Sequence, residues 1–384
     1  MSDSIESIKE PEQKEEPEQK EESEQKEEYD YLYPTLDDPD FSLKIASRKE
    51  FFDTRYDGEI DDVEKMADKI CSAEFELSPH QLFVHNFLSF QTPYNSLLLY
   101  HGLGSGKTCS AIGVGEEMRD YLRQMGFAQR IFVIASPNVQ ENFKLQLFDE
   151  RKLKEIDGLW NIQACTGNKF LKEINPMNMR GLSRERVIRQ IKRIINDSYS
   201  FLGYIEFANY IAKKRQVSSD IGTEEQQKAR SAAKLKKLFS NRLIIIDEVH
   251  NIRITDDNSN KRVAQELFEL VNAVKKLRLL LLSATPMYNS YKEITWLINL
   301  MNINDDRPKI VAKDIFNRDG TFKINDAGEE IGKDILMRKS TGYISFVRGE
   351  NPYAFPYRIW PKQFDPSKTF GEIQYPRLQL NASH

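Results

Sequence analysis

With 384 residues, 40% of them hydrophobic and 30% charged, the chain has room for two domains or one large domain, and for a well-solvated surface. The net charge of −4 hides an uneven spread: residues 1–28 hold 12 acidic and 4 basic side chains and residues 29–62 hold 10 and 4, which leaves +10 on the remainder. Cys71, Cys109 and Cys165 lie far apart with no Cys-x-x-Cys pair, which argues against a zinc site or a disulfide framework and fits a reducing compartment. The N-terminus is acidic, unlike a secretory signal, and the longest apolar runs are too short to cross a bilayer, so no membrane partner is expected.

Residues 11–28 are three copies of one hexapeptide: Pro11-Glu12-Gln13-Lys14-Glu15-Glu16, its repeat from Pro17, and a variant from Ser23. This stretch has nothing apolar to bury, so residues 1–28 are expected to be a disordered, solvating tail. From Tyr29 the composition changes. Tyr31-Leu32-Tyr33-Pro34-Thr35-Leu36 and Phe41-Ser42-Leu43-Lys44-Ile45 set large apolar groups among acids, which predicts an extended arm that docks on the body, followed by a short helix at Val63–Ala73 within a 29–74 segment. Ser78 and Pro79 can open a helix that continues through Val84, Phe87 and Leu88.

The body alternates apolar strands with helices. Strands are expected at Ser96–Tyr100, Arg130–Ala135, Trp160–Cys165, Phe201–Glu206, Arg242–Asp247 and Leu279–Leu282. Helices are expected from Lys107 to about Met125, at Val139–Leu153, Ser183–Asn196, Phe207–Ala212, Val263–Val274 and Glu293–Met301. The pattern is that of an α/β fold with one parallel sheet covered by helices on both faces, over roughly residues 75–303. Ligands of such sheets bind at the carboxyl edge of the strands. The helix at 183–196 sets Arg184, Arg186, Arg189, Lys192 and Arg193 against Val187, Ile188, Ile191, Ile194 and Ile195, and reads first as a solvated basic face.

The chemistry gathers where strands end. Gly102-Leu103-Gly104-Ser105-Gly106-Lys107-Thr108 follows an apolar strand and opens a helix, so its backbone N–H groups and the helix dipole suit an anion. Lys107 would reach the β- and γ-phosphates of ATP, and the Thr108 hydroxyl would sit on Mg²⁺. His101 stands where the longer P-loop pattern has glycine, so the match is to the shorter Gly-x-Gly-Lys-Thr form. Asp247-Glu248-Val249-His250 ends the strongest strand, and two carboxylates there are costly unless used. Asp247 is the candidate for Mg²⁺ and Glu248 for polarising the attacking water. Ser283-Ala284-Thr285 can bond that acidic pair, with His250 as the link. Gln81, 26 residues before Lys107, offers an amide to an adenine edge, and an ordinary helix glutamine remains the alternative. Ser136-Pro137-Asn138 and Thr166-Gly167, at the exits of the second and third strands, can meet a nucleic-acid backbone or be plain turns.

Taken in order, Gln81, Gly-Ser-Gly-Lys-Thr, Ser-Pro-Asn, Thr-Gly, Asp-Glu-Val-His and Ser-Ala-Thr-Pro resemble the first RecA-like lobe of a superfamily 2 helicase or translocase. Thr285-Pro286-Met287-Tyr288-Asn289, with Glu293 and Leu297-Ile298-Asn299-Leu300, is similar to the Swi/Snf-type branch. Tyr33–Pro39 and Gly342–Pro352 resemble helicases of nucleocytoplasmic large DNA viruses, akin to the poxvirus early transcription factor small subunit and nucleoside triphosphatase I. The resemblance runs from about Tyr33 to Pro361. It implies Mg²⁺-dependent ATP hydrolysis in viral transcription, in a virion or host cytoplasm. Nucleic acid (DNA ahead of RNA) and a viral RNA polymerase or transcription-factor subunit are the implied partners. It also implies a second RecA-like lobe, in cis or in trans, carrying an arginine worth on the order of 10³–10⁵ in rate. Residues 302–384 hold no Gln-x-x-Gly-Arg-x-x-Arg, so 304–384 reads as a connector and weak hydrolysis is expected from this chain alone. A nucleotide-gated transcription or assembly factor with an idle ATPase is the alternative.

Overall fold

The computed structural model describes residues 33–55, 62, 65, 77–102, 104–177, 179–217, 223–252, 258–274, 276–287 and 291–347. The acidic repeats of 1–28, Leu103, Tyr288-Asn289, residues 348–384 and all but Lys65 of the helix expected at Val63–Ala73 lie outside the described residues.

Six strands form one parallel sheet in the order β5-β2-β6-β7-β1-β8. They are β1 (Ser96–His101), β2 (Ile131–Ile134), β5 (Tyr199–Leu202), β6 (Leu243–Ile246), β7 (Arg278–Ser283) and β8 (Ile344–Val347). The central strands are apolar throughout because both faces are covered, and alternate residues go to opposite layers. Leu97, Leu99, Leu243, Ile245, Leu280 and Leu282 join one core cluster. Leu98, Ile244, Ile246, Leu279 and Leu281 join the other. No side chain of β6 is exposed to any measurable degree. Truncating Ile245 to alanine should therefore cost about 2–5 kcal/mol.

Helices α1 (Phe41–Ser47), α2 (Lys49–Phe52), α3 (Pro79–Phe87), α4 (Lys107–Gln124) and α5 (Pro137–Leu147) precede a small antiparallel ribbon, β3 (Leu153–Ile156) with β4 (Leu159–Ile162). Beyond it come α6 (Lys169–Ile174), α7 (Arg184–Ser198), α8 (Tyr204–Arg215), α9 (Glu224–Phe239), α10 (Asn258–Ala273), α11 (Lys292–Asn304), α12 (Ala312–Ile315) and α13 (Ile331–Ser340). Tyr33, Leu36, Phe41, Ile45 and Phe51 of the N-terminal arm pack into the first cluster. The arm is helical in α1 and α2 rather than extended.

Four expectations need correction. Trp160–Cys165 is not a third strand of the parallel sheet: Asp157 and Gly158, both at positive φ, turn the chain into the β3–β4 ribbon, which ends at Ile162. Thr166–Gly167 therefore follows the ribbon and does not lie at an exit of the main sheet. The strand expected over Phe201–Glu206 ends at Leu202, and α8 starts at Tyr204 because Glu206 caps the Gly203 N–H. The sheet also runs past residue 303, since β8 pairs parallel with β1 over Leu98–His101. Lastly, Cys109 and Cys165 are joined as a disulfide with their Cα atoms 5.2 Å apart, against the expectation of unpaired thiols. Nothing local marks that pairing, because 56 residues separate the two in sequence.

Candidate nucleotide site

β1 delivers the chain into the glycine turn with Gly104 and Gly106 at φ +76° and +77°. These are left-handed values that cost other residues about 1–2 kcal/mol. The Lys107 ammonium folds back over the turn, donating to the His101 carbonyl at 3.0 Å and the Gly102 carbonyl at 3.1 Å. Burial pushes the Lys107 pKa down, opposed by the charges of Glu248 and Asp247, which places the three groups in one electrostatic neighbourhood. Ser105 Oγ donates to the Gly102 carbonyl at 2.8 Å and tightens the loop.

α3 braces this turn from outside. Gln81 is buried, its Oε1 accepting from the Ser78 N–H at 2.9 Å and its Nε2 donating to the Gly106 carbonyl at 3.2 Å. A Cβ on Gly106 would lie 2.3 Å from that Nε2, so glycine is required for the amide to approach. Next to it, His80 Nε2 donates to the Ser105 carbonyl at 2.8 Å. His101 is fully buried, with Nε2 2.9 Å from Ser345 Oγ of β8. Burial pushes its pKa down to about 4, assisted by His80 and Lys107. The imidazole in the glycine position of the longer loop pattern thus ties the edge strand to the phosphate turn.

β6, two strands from β1, ends in Asp247-Glu248. Asp247 is anchored to β2 by its N–H on the Ile134 carbonyl at 2.9 Å, and its Oδ1 accepts from the Glu248 N–H at 2.9 Å. Burial, and then the neighbouring Glu248 charge, push the Asp247 carboxyl up to about 6. Glu248 takes φ +49°, an uncommon backbone for glutamate, which aims consecutive acids differently. β7 lies between β6 and β1 and supplies Ser283, whose Oγ accepts from the Thr285 N–H at 3.0 Å. His250 Nδ1 sits 3.0 Å from Ser283 Oγ and 3.2 Å from Glu248 Oε2. Nδ1 is thus within reach of both oxygens.

A divalent cation fits this donor set. The Asp247 carboxyl, held up near 6 by burial and the neighbouring Glu248 charge, would ionise readily beside a cation. Among the described residues no group of three or more His, Cys, Asp or Glu is placed to hold a metal ion.

The structure thus brings Gly102, Gly104, Ser105, Gly106, Lys107 and Thr108 to the same sheet edge as Asp247, Glu248, His250, Ser283 and Thr285, with Gln81 behind the loop. Leu103 lies outside the described residues. Ser136, Pro137 and Asn138 open α5 at the end of β2, with Pro137 and Asn138 exposed on that edge. Thr166 and Gly167 stand apart: Thr166 Oγ1 donates to the Leu147 carbonyl at the end of α5, and the turn meets α4 through Cys165. The basic face of α7 pairs with the body, Lys192 with Glu150 and Arg184 with the Glu150 carbonyl, and reads as a solvated helix.

Tyr204 is the residue that sequence reasoning missed. Its hydroxyl donates to the Asp247 carbonyl at 2.8 Å, accepts from Asn251 Nδ2 at 3.5 Å, and lies within hydrogen-bond reach of the Ser136 backbone. Burial pushes this phenol up to about 12, so it stays a donor. The signal was Gly203, which ends β5 at Leu202, four residues before the expected end of the strand.

A "Putative ATP-dependent RNA helicase" of Acanthamoeba polyphaga mimivirus is 25% identical over 367 residues, covering 89% of this chain and 29% of its own length. A "Putative helicase" of Invertebrate iridescent virus 3 is 26% identical over 338 residues, covering 83% of this chain and 27% of its own. An "Early transcription factor large subunit homolog" of African swine fever virus is 24% identical, with coverages of 85% and 35%. The chain therefore spans about a third of the length of these relatives. A Sulfolobus solfataricus SWI2/SNF2 ATPase core in complex with dsDNA aligns over 71% of this chain and 45% of its own, at 15% identity and a TM-score of 0.38. The SNF2-related domain model matches residues 80–331, from the histidine that braces the phosphate turn to the start of α13, and the chain belongs to that family.

Proposed function

We propose that this chain is the ATP-binding lobe of a nucleic-acid-stimulated helicase or translocase, with DNA the favoured substrate and viral transcription the setting. The observation that carries the reading is the meeting of Lys107, the Asp247–Glu248 pair and the Ser283 turn at one edge of one sheet. Lys107 would exchange its bonds to the His101 and Gly102 carbonyls for the β- and γ-phosphates of ATP. Asp247 and Thr108 would hold Mg²⁺, whose charge neutralises the phosphate oxygens when bound. Glu248 would orient the attacking water and accept its proton, with His250 passing the state of that carboxylate to Ser283 and Thr285. Ser136, Pro137, Asn138, Thr166 and Gly167 would meet the nucleic-acid backbone, reading no sequence. An arginine from a second RecA-like lobe, in cis or trans, would complete the site.

The test is steady-state ATP hydrolysis with Mg²⁺, with and without double-stranded DNA, single-stranded DNA or RNA. Slow turnover that nucleic acid raises is expected. Lys107→Ala should lose nucleotide binding, whereas Glu248→Gln should bind nucleotide and stall. Turnover indifferent to Lys107→Ala would sink the reading.

A further inference from the structure

Cys109 is the third residue of α4, directly after Thr108, and Cys165 directly precedes Thr166-Gly167. Their sulfurs are bonded in the structure, with Cα atoms 5.2 Å apart, inside the span that a disulfide bridges. The backbone around them already holds that approach. The Cys165 N–H donates to the Gln146 carbonyl at 3.2 Å, Thr166 Oγ1 to the Leu147 carbonyl at 3.1 Å, and Lys169 Nζ to the Glu116 carbonyl of α4 at 2.9 Å. Cys165 is buried and Cys109 is partly buried, so Cys109 is the more accessible of the two.

We propose that Cys109 and Cys165 form a redox-reversible cross-link that fastens the Thr166–Gly167 turn to the phosphate-loop helix. The oxidant is a low-molecular-weight disulfide such as oxidised glutathione. The more accessible Cys109, as thiolate, attacks it, forming a mixed disulfide and releasing one glutathione thiol. The Cys165 thiolate then attacks the Cys109 sulfur, closing the protein bond and releasing the second glutathione. Two protein thiols are oxidised, one external disulfide is reduced, and the two protons pass to the departing glutathiones. Reduced glutathione in excess reverses both steps. Closed, the bond removes play between the helix carrying Lys107 and a turn that, on the reading proposed above, touches nucleic acid. Open, it leaves that turn held by hydrogen bonds alone.

The experiment equilibrates the full 384-residue chain in glutathione buffers from fully reduced to fully oxidised, traps thiols with N-ethylmaleimide, and maps peptides by mass. Cys109 and Cys165 should leave the alkylated pool together and appear in one linked peptide pair. Amide exchange over residues 163–171 should slow at least tenfold in the oxidised form. Cys109→Ser and Cys165→Ser should each exchange at the reduced wild-type rate in every buffer. Affinity for DNA, measured by anisotropy in the same buffers, should be several-fold tighter in oxidised wild type and unchanging in the variants. If both thiols stay alkylatable in oxidised buffer, the cross-link is overturned. If the bond closes without altering exchange at 163–171, its fastening role is overturned. A bond that closes and slows exchange, in a chain that binds no DNA or RNA in any buffer, refutes the proposed nucleic-acid function and leaves the cross-link standing.

Discussion

His250 joins Ser283 across the boundary between β6 and β7, Nδ1 to Oγ at 3.0 Å, while the same nitrogen stays 3.2 Å from Glu248 Oε2. One ring nitrogen therefore reaches both the Glu248 carboxylate and the hydroxyl that orders the Ser283–Thr285 turn through the Thr285 N–H. Ser283→Ala removes the far acceptor and leaves Lys107, Thr108 and Asp247 untouched. Nucleotide affinity should stay within about twofold, while the stimulation of turnover by nucleic acid falls roughly tenfold, the worth of one hydrogen bond of about 1.4 kcal/mol. His250→Ala should do the same. Isothermal titration with a non-hydrolysable nucleotide and turnover with and without DNA separate the two effects.

Tyr204 bears on the other side of the acidic pair. Its hydroxyl holds the Asp247 carbonyl at 2.8 Å, immediately before the left-handed Glu248. Tyr204→Phe keeps the ring and its packing and deletes one oxygen. The expected cost in global stability is about 0.5–1.5 kcal/mol. Because the bond positions Glu248, turnover should fall several-fold at unchanged KM. A rise in KM with turnover intact would show that Tyr204 serves binding and not the orientation of the carboxylate.

How much of this was legible beforehand differs by element. β1, β6 and β7 announce themselves as unbroken leucine and isoleucine runs, because a strand buried on both faces has no polar side. That the glycine turn and the acidic pair would share one edge of the sheet was legible for a related reason: both stand at the end of such runs. The β3–β4 ribbon was misjudged although Asp157-Gly158 is a strong hairpin signal, since the apolar residues around it suggest a longer strand. β8 was not foreseen as a strand. It is four residues long, and Ile344 and Phe346 remain exposed at the sheet edge, so little hydrophobic pattern marks it. Tyr204's bond and the Cys109–Cys165 pairing are tertiary facts, set by how strands and helices stack, and no local spacing encodes them.

Gly106 tests the brace between α3 and the phosphate turn. Alanine there meets two separable penalties: a left-handed φ of +77°, and a Cβ 2.3 Å from Gln81 Nε2. The first stays with the backbone, at about 1–2 kcal/mol. The second can be relieved, because the clashing atom is the end of a flexible amide. Gly106→Ala should therefore be rescued in part by Gln81→Ala. A double-mutant cycle in urea should show a favourable coupling of about 0.5–3 kcal/mol, as contacting residues do. Strict additivity would mean that the amide does not press on the turn.

The pH dependence of stability carries two opposed contributions from this edge of the sheet. Asp247's folded pKa, about 6, lies above its ordinary value, so the folded state binds the proton more tightly and gains stability as pH falls from about 6 toward 4. His101's folded pKa, about 4, lies below its ordinary value, so the unfolded state binds the proton more tightly and stability is lost as pH falls from about 6.5 toward 4. Each shift corresponds to about 3 kcal/mol, and over pH 4–6 the two nearly cancel. Asp247→Asn removes the first, so this variant should lose about 3 kcal/mol more than wild type between pH 6.5 and 4. His101→Gln removes the second and should lose about 3 kcal/mol less than wild type over the same interval. Urea titrations at half-unit pH steps measure both slopes, and equal slopes in all three proteins would mean that neither group is held in the protonation state its burial dictates.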